Sequence, residues 1–228
     1  MKILVTSGGT SEAIDRVRSI TNHSTGKLGK VITETLLKAG HHVCLITTRQ
    51  ALKPAPHSNL SIIEIKDSSD LLREMKRIVP DYQVVIHSMA VSDYSPVYMT
   101  GLDQVQASKD LSEFLHKKNM ETKISSKDEV QVLFLKKNPK IISLVKELNP
   151  SIHLIGFKLL VDVSREYLIQ IARESLEKNK ADIIVANDLT QINAEQHIAY
   201  LVEKSSFQTA TSKQEIADLL LEKIKSYD

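Results

Sequence analysis

Short β-branched runs alternate along the chain with longer segments of helical period, and this alternation constrains the fold more than any other feature. Parallel strands need a crossover between them, usually a helix, so the pattern predicts βαβ units around a mainly parallel sheet. Six runs are predicted strands: Lys2–Thr6, Val43–Thr47, Ser61–Ile65, Gln83–His87, His153–Phe157 and Ile183–Ala186. The length of 228 residues, with 42% hydrophobic residues, fits one domain covering residues 1–228.

Helical periods fill the intervals between these strands. The clearest runs from Leu28 to Ala39, with apolar residues three and four apart, and Gly40 ends it. Others are predicted from Ser68 to just before Pro80 and over 164–179, and a strand over 197–203 is followed by a closing helix around 216–224. The predicted fold is a Rossmann-like open sheet with helices on both faces and a C-terminal strand and helix extension.

The pattern breaks between Ser95 and Thr122. Polar residues dominate there, Pro96 and Gly101 interrupt the chain, and only Leu111–Leu115 has a helical pattern. Irregular segments of this length are often functional loops, so we predict a mobile flap at about 95–127.

Charge and cysteine content exclude several classes of protein. The 30 Lys and Arg against 28 Asp and Glu give a net charge of +2, which predicts neither a nucleic-acid nor a membrane surface. The single cysteine, Cys44, lies in a predicted buried strand and is interpreted as structural. No leader-like segment or long apolar run is present, so we expect a cytoplasmic protein.

Two turns near the end of the first predicted strand could bind anions. Gly8 and Gly9 follow that strand directly, so backbone N–H groups could approach a phosphate or carboxylate, although a plain tight turn fits equally well. Asn22, Ser24 and Gly26 precede the clearest helix, where Ser24 alone would explain the pattern as an N-cap. The carboxyl end of an open parallel sheet is nevertheless where ligands bind.

Three further segments carry candidate side chains. Ser88 to Asp93 follows the fourth predicted strand, and Asp93 could accept a hydrogen bond from a base or ribose or cap the turn. Lys123 could reach bound phosphates or remain solvated. Phe157 ends another strand and could stack on a base or fill the core.

Taken in order, these segments resemble phosphopantothenate–cysteine ligase, also called phosphopantothenoylcysteine synthetase, in its stand-alone bacterial form. The resemblance covers nearly the whole chain. Its motifs are Gly8-Gly9-Thr10, the run from Asn22 to Gly29, the run from Ala90 to Tyr94, Lys123-Ile124, Asn138-Pro139, Gly156-Phe157 and Ala186-Asn187-Asp188.

The resemblance implies roles for individual residues. Asn22 is assigned to an acyl-nucleotide intermediate, and Lys123 to the triphosphate; these two are the catalytic candidates. The implied nucleotide-binding residues are Ser88, Met89, Ala90, Asp93, Lys123, Asn138, Phe157 and Lys178, and the substrate-binding residues are Gly8, Gly9, Asn22, Ser24 and Gly26. The interval between Phe157 and Lys178 is longer than in the bifunctional enzymes.

The resemblance also implies the reaction and its ligands. The chain would join 4′-phosphopantothenate to L-cysteine, with CTP converted to CMP and pyrophosphate, in coenzyme A biosynthesis. CTP is favoured over ATP because the bacterial members resemble CTP users. Mg²⁺ would accompany the CTP without direct side-chain ligation, and a homodimer is expected. Ser125-Ser126 departs from the lysine-rich continuation of the bifunctional enzymes.

Two other classes of function stay open at this point. A nicotinamide-dependent reductase would use Thr48-Arg49 for a 2′-phosphate and Tyr200 with Lys204 for catalysis. A non-catalytic nucleotide-binding module would retain the fold without turnover.

Overall fold

The structure is a computed structural model that describes residues 1–119, 122–193 and 196–227. In chain order, its strands are β1 Lys2–Ser7, β2 Ser11–Ala13, β3 Ser19–Thr21, β4 His42–Thr48, β5 Leu60–Ile65, β6 Val84–His87, β7 Tyr94–Gly101, β8 Gln131–Lys137, β9 His153–Leu160, β10 Ile183–Asp188, β11 Ala199–Val202 and β12 Phe207–Ala210. Its α-helices are α1 Lys27–Lys38, α2 Ser68–Ile78, α3 Leu102–Ala107, α4 Ile141–Leu148, α5 Arg165–Asn179 and α6 Lys213–Lys225. Short 3₁₀ turns cover Val79–Asp81, Leu111–Leu115 and Leu189–Gln191.

The main sheet of the described chain has the strand order β12-β11-β10-β9-β6-β1-β4-β5. Six neighbouring strands of this sheet pair in parallel, in the order β5, β4, β1, β6, β9 and β10. The other two, β11 and β12, pair antiparallel at one edge. All six predicted strands and the mainly parallel sheet are therefore confirmed. The chain extends the sheet to one side of β1 through β4 and β5, and to the other side through β6, β9 and β10. The strand order thus reverses between β1 and β6, which opens a crevice at their carboxyl ends.

Both faces of the sheet are covered by helices. Successive side chains of a strand point to opposite faces, so Ile3 and Val5 of β1 pack in the cluster with α1 and α6. Leu4 points to the other face, into the cluster with α2, α4 and α5. Cys44 is buried in that second cluster as a free thiol, as predicted. The predicted helices on both faces and the C-terminal extension are confirmed.

The predicted irregular flap is partly wrong. β7 and β8 form an antiparallel ladder from Tyr94 with Lys137 to Gly101 with Gln131, which we call the arm. Phe114 of the 3₁₀ turn at Leu111–Leu115 is 2% exposed and stacks near Phe134, with ring centroids 4.8 Å apart. The partner strand lies about thirty residues further along the chain, so the local sequence pattern did not predict the ladder. The helical pattern over 111–115 is confirmed, and mobility of this segment stays a prediction.

Among the described residues, the helices are all too short or too polar to cross a bilayer.

The first turn of α1 packs tightly on the end of β1. A Cβ added at Gly29 would lie 2.4 Å from the Cβ of Ser7, whose side chain is buried. Gly26, the N-cap of α1, has a φ of 74°, in the left-handed region that glycine adopts readily. These two glycines therefore allow α1 to begin directly beside the crevice.

We expect Gly29→Ala to lower the free energy of unfolding by about 1–3 kcal/mol, because the added methyl group overlaps Ser7. This loss should exceed the gain of about 1 kcal/mol from helix propensity. Urea unfolding measures the effect, with Lys30→Ala, at the neighbouring half-buried position, as the control. A Gly29→Ala protein at least as stable as the original would show that the packing is looser than described.

Candidate functional site

A cavity of about 580 Å³ opens at the carboxyl ends of β1, β6, β9 and β10, beside the start of α1. This volume is within the usual range for small-molecule sites. Eight of the predicted binding residues line it: Gly8, Ser24, Gly26, Ser88, Met89, Ala90, Asp93 and Phe157. The fold thus brings together residues from four separate segments of sequence.

Backbone hydrogen bonds join the glycine turn to the loop after β6. The Ala90 N–H donates to Gly8 O at 2.9 Å, and the Thr10 N–H donates to Ala90 O at 3.1 Å. Asn22 lies at this junction, because its Nδ2 donates to Ala90 O at 3.3 Å. A Cβ at Gly9 would lie 2.7 Å from Asn22 O, so glycine at this position permits the close approach of the Asn22 segment. Asn22 and Gly9 are therefore adjacent to the cavity without lining it.

Asn138 supports the same loop from outside the cavity. Its N–H donates to Asp93 O at 2.8 Å, and its Nδ2 donates to Ser92 O at 2.9 Å. The Asp93 carboxylate pairs with Lys140, and both side chains are 56% exposed. Asn138 is thus a positioning residue in this structure. Lys140 lines the cavity, but the sequence analysis did not select it.

His87 lies below the cavity at the end of β6. The Met89 N–H donates to Thr6 Oγ1 at 3.3 Å, and the same hydroxyl forms a hydrogen bond with His87 Nδ1 at 2.8 Å. Burial, with a contribution from the positive charge of Lys140, lowers the pKa of His87 to about 4. The imidazole is therefore neutral near neutral pH.

Lys123 and Lys178 are not brought to the cavity within one chain. Lys123 is exposed beside the hairpin of β2 and β3, where the next residue, Ile124, donates its N–H to Asp15 Oδ2 at 3.1 Å. Lys178 is in the last turn of α5, which leads into the amino end of β10, whereas the cavity is at the carboxyl end. Nucleotide contact by Lys178 of the same chain is therefore not supported by this geometry.

Several lining residues were missed by the sequence analysis as site residues. Asn187 ends β10, His197 precedes β11, and Lys27 and Lys213 start α1 and α6. Asn187 was included in a motif without a role. His197 and Lys213 carried no local signal, because only the reversal of chain through β11 and β12 brings them to the cavity.

Asp188, also at the end of β10, has a structural role. Its carboxylate accepts from the backbone N–H groups of Asp162, Val163 and Thr190, at 3.1, 2.9 and 2.8 Å. These donors and the Thr190 hydroxyl lower the pKa of Asp188 to about 2. The carboxylate therefore fixes the loop after β9, next to the cavity.

The residues of the reductase hypothesis do not form a site. Tyr200 is 8% exposed inside β11, where it pairs with Ala186 of β10. Neither Tyr200 nor Lys204 lines the cavity, and Thr48 and Arg49 are absent from its walls. Within the described ranges, no group of three His, Cys, Asp or Glu side chains is arranged to hold a metal ion.

A crevice at the point where a doubly wound sheet reverses its strand order, with glycine turns and a helix start around it, defines a Rossmann-like small-molecule-binding protein. Comparison with known families is more specific. The model of the DNA/pantothenate metabolism flavoprotein C-terminal domain matches residues 1–111 and 99–227. The chain belongs to this family.

Three proteins that are similar to the chain are named for pantothenate metabolism or coenzyme A biosynthesis. The crystal structure of the DNA/pantothenate metabolism flavoprotein from Streptococcus pneumoniae has 72% sequence identity and a TM-score of 0.96, with 100% of each chain covered. The crystal structure of the C-terminal domain of a coenzyme A biosynthesis bifunctional protein CoaBC has 26% identity, a TM-score of 0.71, and coverage of 99% of this chain and 94% of that chain. The CoaBC protein of Thermococcus kodakarensis is 32% identical, over 98% of this chain and 51% of its own length. The chain therefore spans about half the length of the curated relatives that it matches.

We predict that His87 makes the stability of the fold depend on pH between 6.5, its ordinary pKa, and about 4. In this range the unfolded chain binds a proton that the native chain does not, so the free energy of unfolding falls as pH falls. Denaturant unfolding of the original protein and His87→Gln across this range measures the difference. The variant should lose less stability on acidification, by an amount on the order of a few kcal/mol. Parallel curves for the two proteins would contradict a neutral buried His87.

Proposed function

We propose that this chain is a phosphopantothenoylcysteine synthetase, a ligase that joins 4′-phosphopantothenate to L-cysteine with cleavage of CTP. The observation that carries the proposal is the junction of Gly8, Ala90 and Asn22, which sets an amide side chain between two loops of one cavity. The family match and the CoaBC relatives, named for coenzyme A biosynthesis, support the same reaction class.

The reaction is an activation of a carboxylate followed by amide formation. A carboxylate oxygen of phosphopantothenate attacks the α-phosphorus of CTP, the bond to the β-phosphate oxygen breaks, and pyrophosphate leaves. The cysteine nitrogen then attacks the acyl carbon, loses a proton, and releases CMP. Because neither step needs a side-chain nucleophile, the chain contributes mainly by orienting reactants and neutralising charge.

The cavity residues divide between two reactants in this proposal. The loop after β6 would hold the base and ribose, through Ser88, Met89, Ala90 and Asp93, with Phe157 beside the nucleotide. The opposite wall would hold the phosphorylated substrate through Gly8, Gly9, Ser24 and Gly26. Asn22 would then face the acyl-nucleotide, because its side chain already contacts Ala90 O.

The choice of CTP, the metal and the assembly are part of the proposal. Asp93 is the carboxylate that lines the cavity within the described chain, and it already pairs with Lys140. Mg²⁺ would therefore be held chiefly through phosphate oxygens and would screen their charge. A cytoplasmic homodimer would allow the exposed Lys123 to reach the triphosphate in the cavity of the partner subunit.

The reaction is tested by measuring pyrophosphate release with phosphopantothenate, cysteine and either CTP or ATP. We expect release that requires phosphopantothenate, with CTP preferred, and a product whose mass equals phosphopantothenate plus cysteine minus water. Activity with ATP alone would change the nucleotide assignment. No pyrophosphate with either nucleotide would contradict the proposed function.

Asn22→Ala should lower the rate of amide formation by about 100-fold, because it removes a polar group expected to stabilise the acyl-nucleotide. Single-turnover formation of phosphopantothenoylcysteine measures the effect, and unfolding curves report whether the fold is intact. Asn59→Ala, at the amino-terminal edge of the sheet before β5, is the matched control and should keep full activity. An unchanged rate in Asn22→Ala would remove this residue from the mechanism.

A further inference from the structure

One end of the cavity carries three basic side chains that have no role in the reaction described so far. Lys27 is the first residue of α1, Lys213 is the first residue of α6, and His197 lies in the chain before β11. We call this group the basic end of the cavity.

Backbone and side-chain contacts fix the position of the basic end. The His197 N–H donates to Thr211 O at 2.8 Å, and Asn187 Nδ2 donates to Ile198 O at 2.8 Å. Gln214 Nε2 donates to Thr35 Oγ1 at 3.1 Å, which ties the first turn of α6 to α1. These hydrogen bonds connect the segments that carry the basic residues.

His197 is buried, with 7% of its surface exposed. Neither of its ring nitrogens has a hydrogen-bond partner among the residues that the structure describes. Burial, with the charge of Lys213, lowers the pKa of the imidazole to about 4, so the ring is neutral near neutral pH. An unsatisfied buried donor is costly, and native structures contain few of them. A ligand acceptor in the cavity would satisfy the ring N–H.

The charges at the basic end are also uncompensated. Partial burial and the charge of Lys27 lower the pKa of Lys213, which indicates two like charges facing shared space. Of the described residues, no carboxylate forms an ion pair with either lysine. An anion between them would relieve this repulsion.

The start of α1 adds to the same field. Its N-cap Gly26 makes no side-chain cap bond, and its first turn contains no acidic residue. No carboxylate of the first turn therefore offsets the positive end of the helix dipole. A phosphate dianion, with several acceptor oxygens, matches one imidazole N–H, two ammonium groups and a helix start.

We propose that His197, Lys213 and Lys27 form a phosphate-binding subsite in the cavity. The inference deepens the proposed function, on which it rests for the identity of the ligand: the phosphate belongs either to phosphopantothenate or to the triphosphate of CTP. The subsite extends beyond the glycine turns and the start of α1, because it adds side chains from α6 and from the chain before β11.

Isothermal titration tests the subsite with four ligands, phosphopantothenate, pantothenate, CTP and cytidine. Lys213→Gln should weaken binding of at least one phosphorylated ligand by about tenfold or more, because a charge-assisted contact is lost. Binding of the matching unphosphorylated ligand should not change. The phosphorylated ligand that loses affinity identifies the source of the phosphate. Lys225→Gln, in the last turn of the same helix, is the matched control.

His197→Leu separates ligand binding from a structural role. Because His197 is unsatisfied in the free protein, we expect the variant to be at least as thermally stable without ligand. The phosphorylated ligand that loses affinity for Lys213→Gln should raise the melting temperature of His197→Leu by less than it raises that of the original protein. Lower stability without ligand, with an unchanged ligand effect, would assign His197 to the fold and overturn the subsite.

Titration with pyrophosphate tests the subsite independently of the proposed function, because pyrophosphate binding can be measured without catalysis. Binding that Lys213→Gln weakens would support the subsite even if no ligase activity were found. An active ligase in which Lys213→Gln binds all four ligands and pyrophosphate normally would contradict the subsite and leave the proposed function intact.

Discussion

The reversal of strand order between β1 and β6 is the constraint on which the site depends. The chain leaves the two strands in different directions, so a crevice forms where their carboxyl ends meet. Gly8 and Ala90 close the base of this crevice by hydrogen bonding, and α1 begins beside it because Gly29 allows contact with Ser7. Loss of either feature would separate segments that line one cavity.

The cavity also has its own distribution of charged side chains. The chain has a net charge of only +2, so its overall field does not concentrate anions. The cavity instead gathers Lys27, Lys140 and Lys213 at helix starts and loops, while burial keeps His87 and His197 neutral. A cavity with several lysines in its walls suits ligands that carry phosphate groups.

Much of the fold followed from sequence, because buried parallel strands are nearly continuous apolar runs and their helices keep a clear period. Gly8, Asp93 and Phe157 were predicted as candidates for the same reason, since Gly8 and Asp93 follow recognisable strands and Phe157 ends a predicted one. The arm was missed because β7 pairs with a distant β8. His197 and Lys213 were missed because their position depends on tertiary packing. Lys178 was assigned by resemblance, and the direction of α5 places it at the opposite edge of the sheet.

A crystal structure of the chain with CTP and phosphopantothenate, without cysteine, tests the central claim most directly. We expect an acyl-cytidylate in the cavity, with its cytidine beside the loop from Ser88 to Asp93 and its acyl group near Asn22. Density for the nucleotide and phosphopantothenate at separate surfaces, with the crevice between β1 and β6 filled only by solvent, would contradict it.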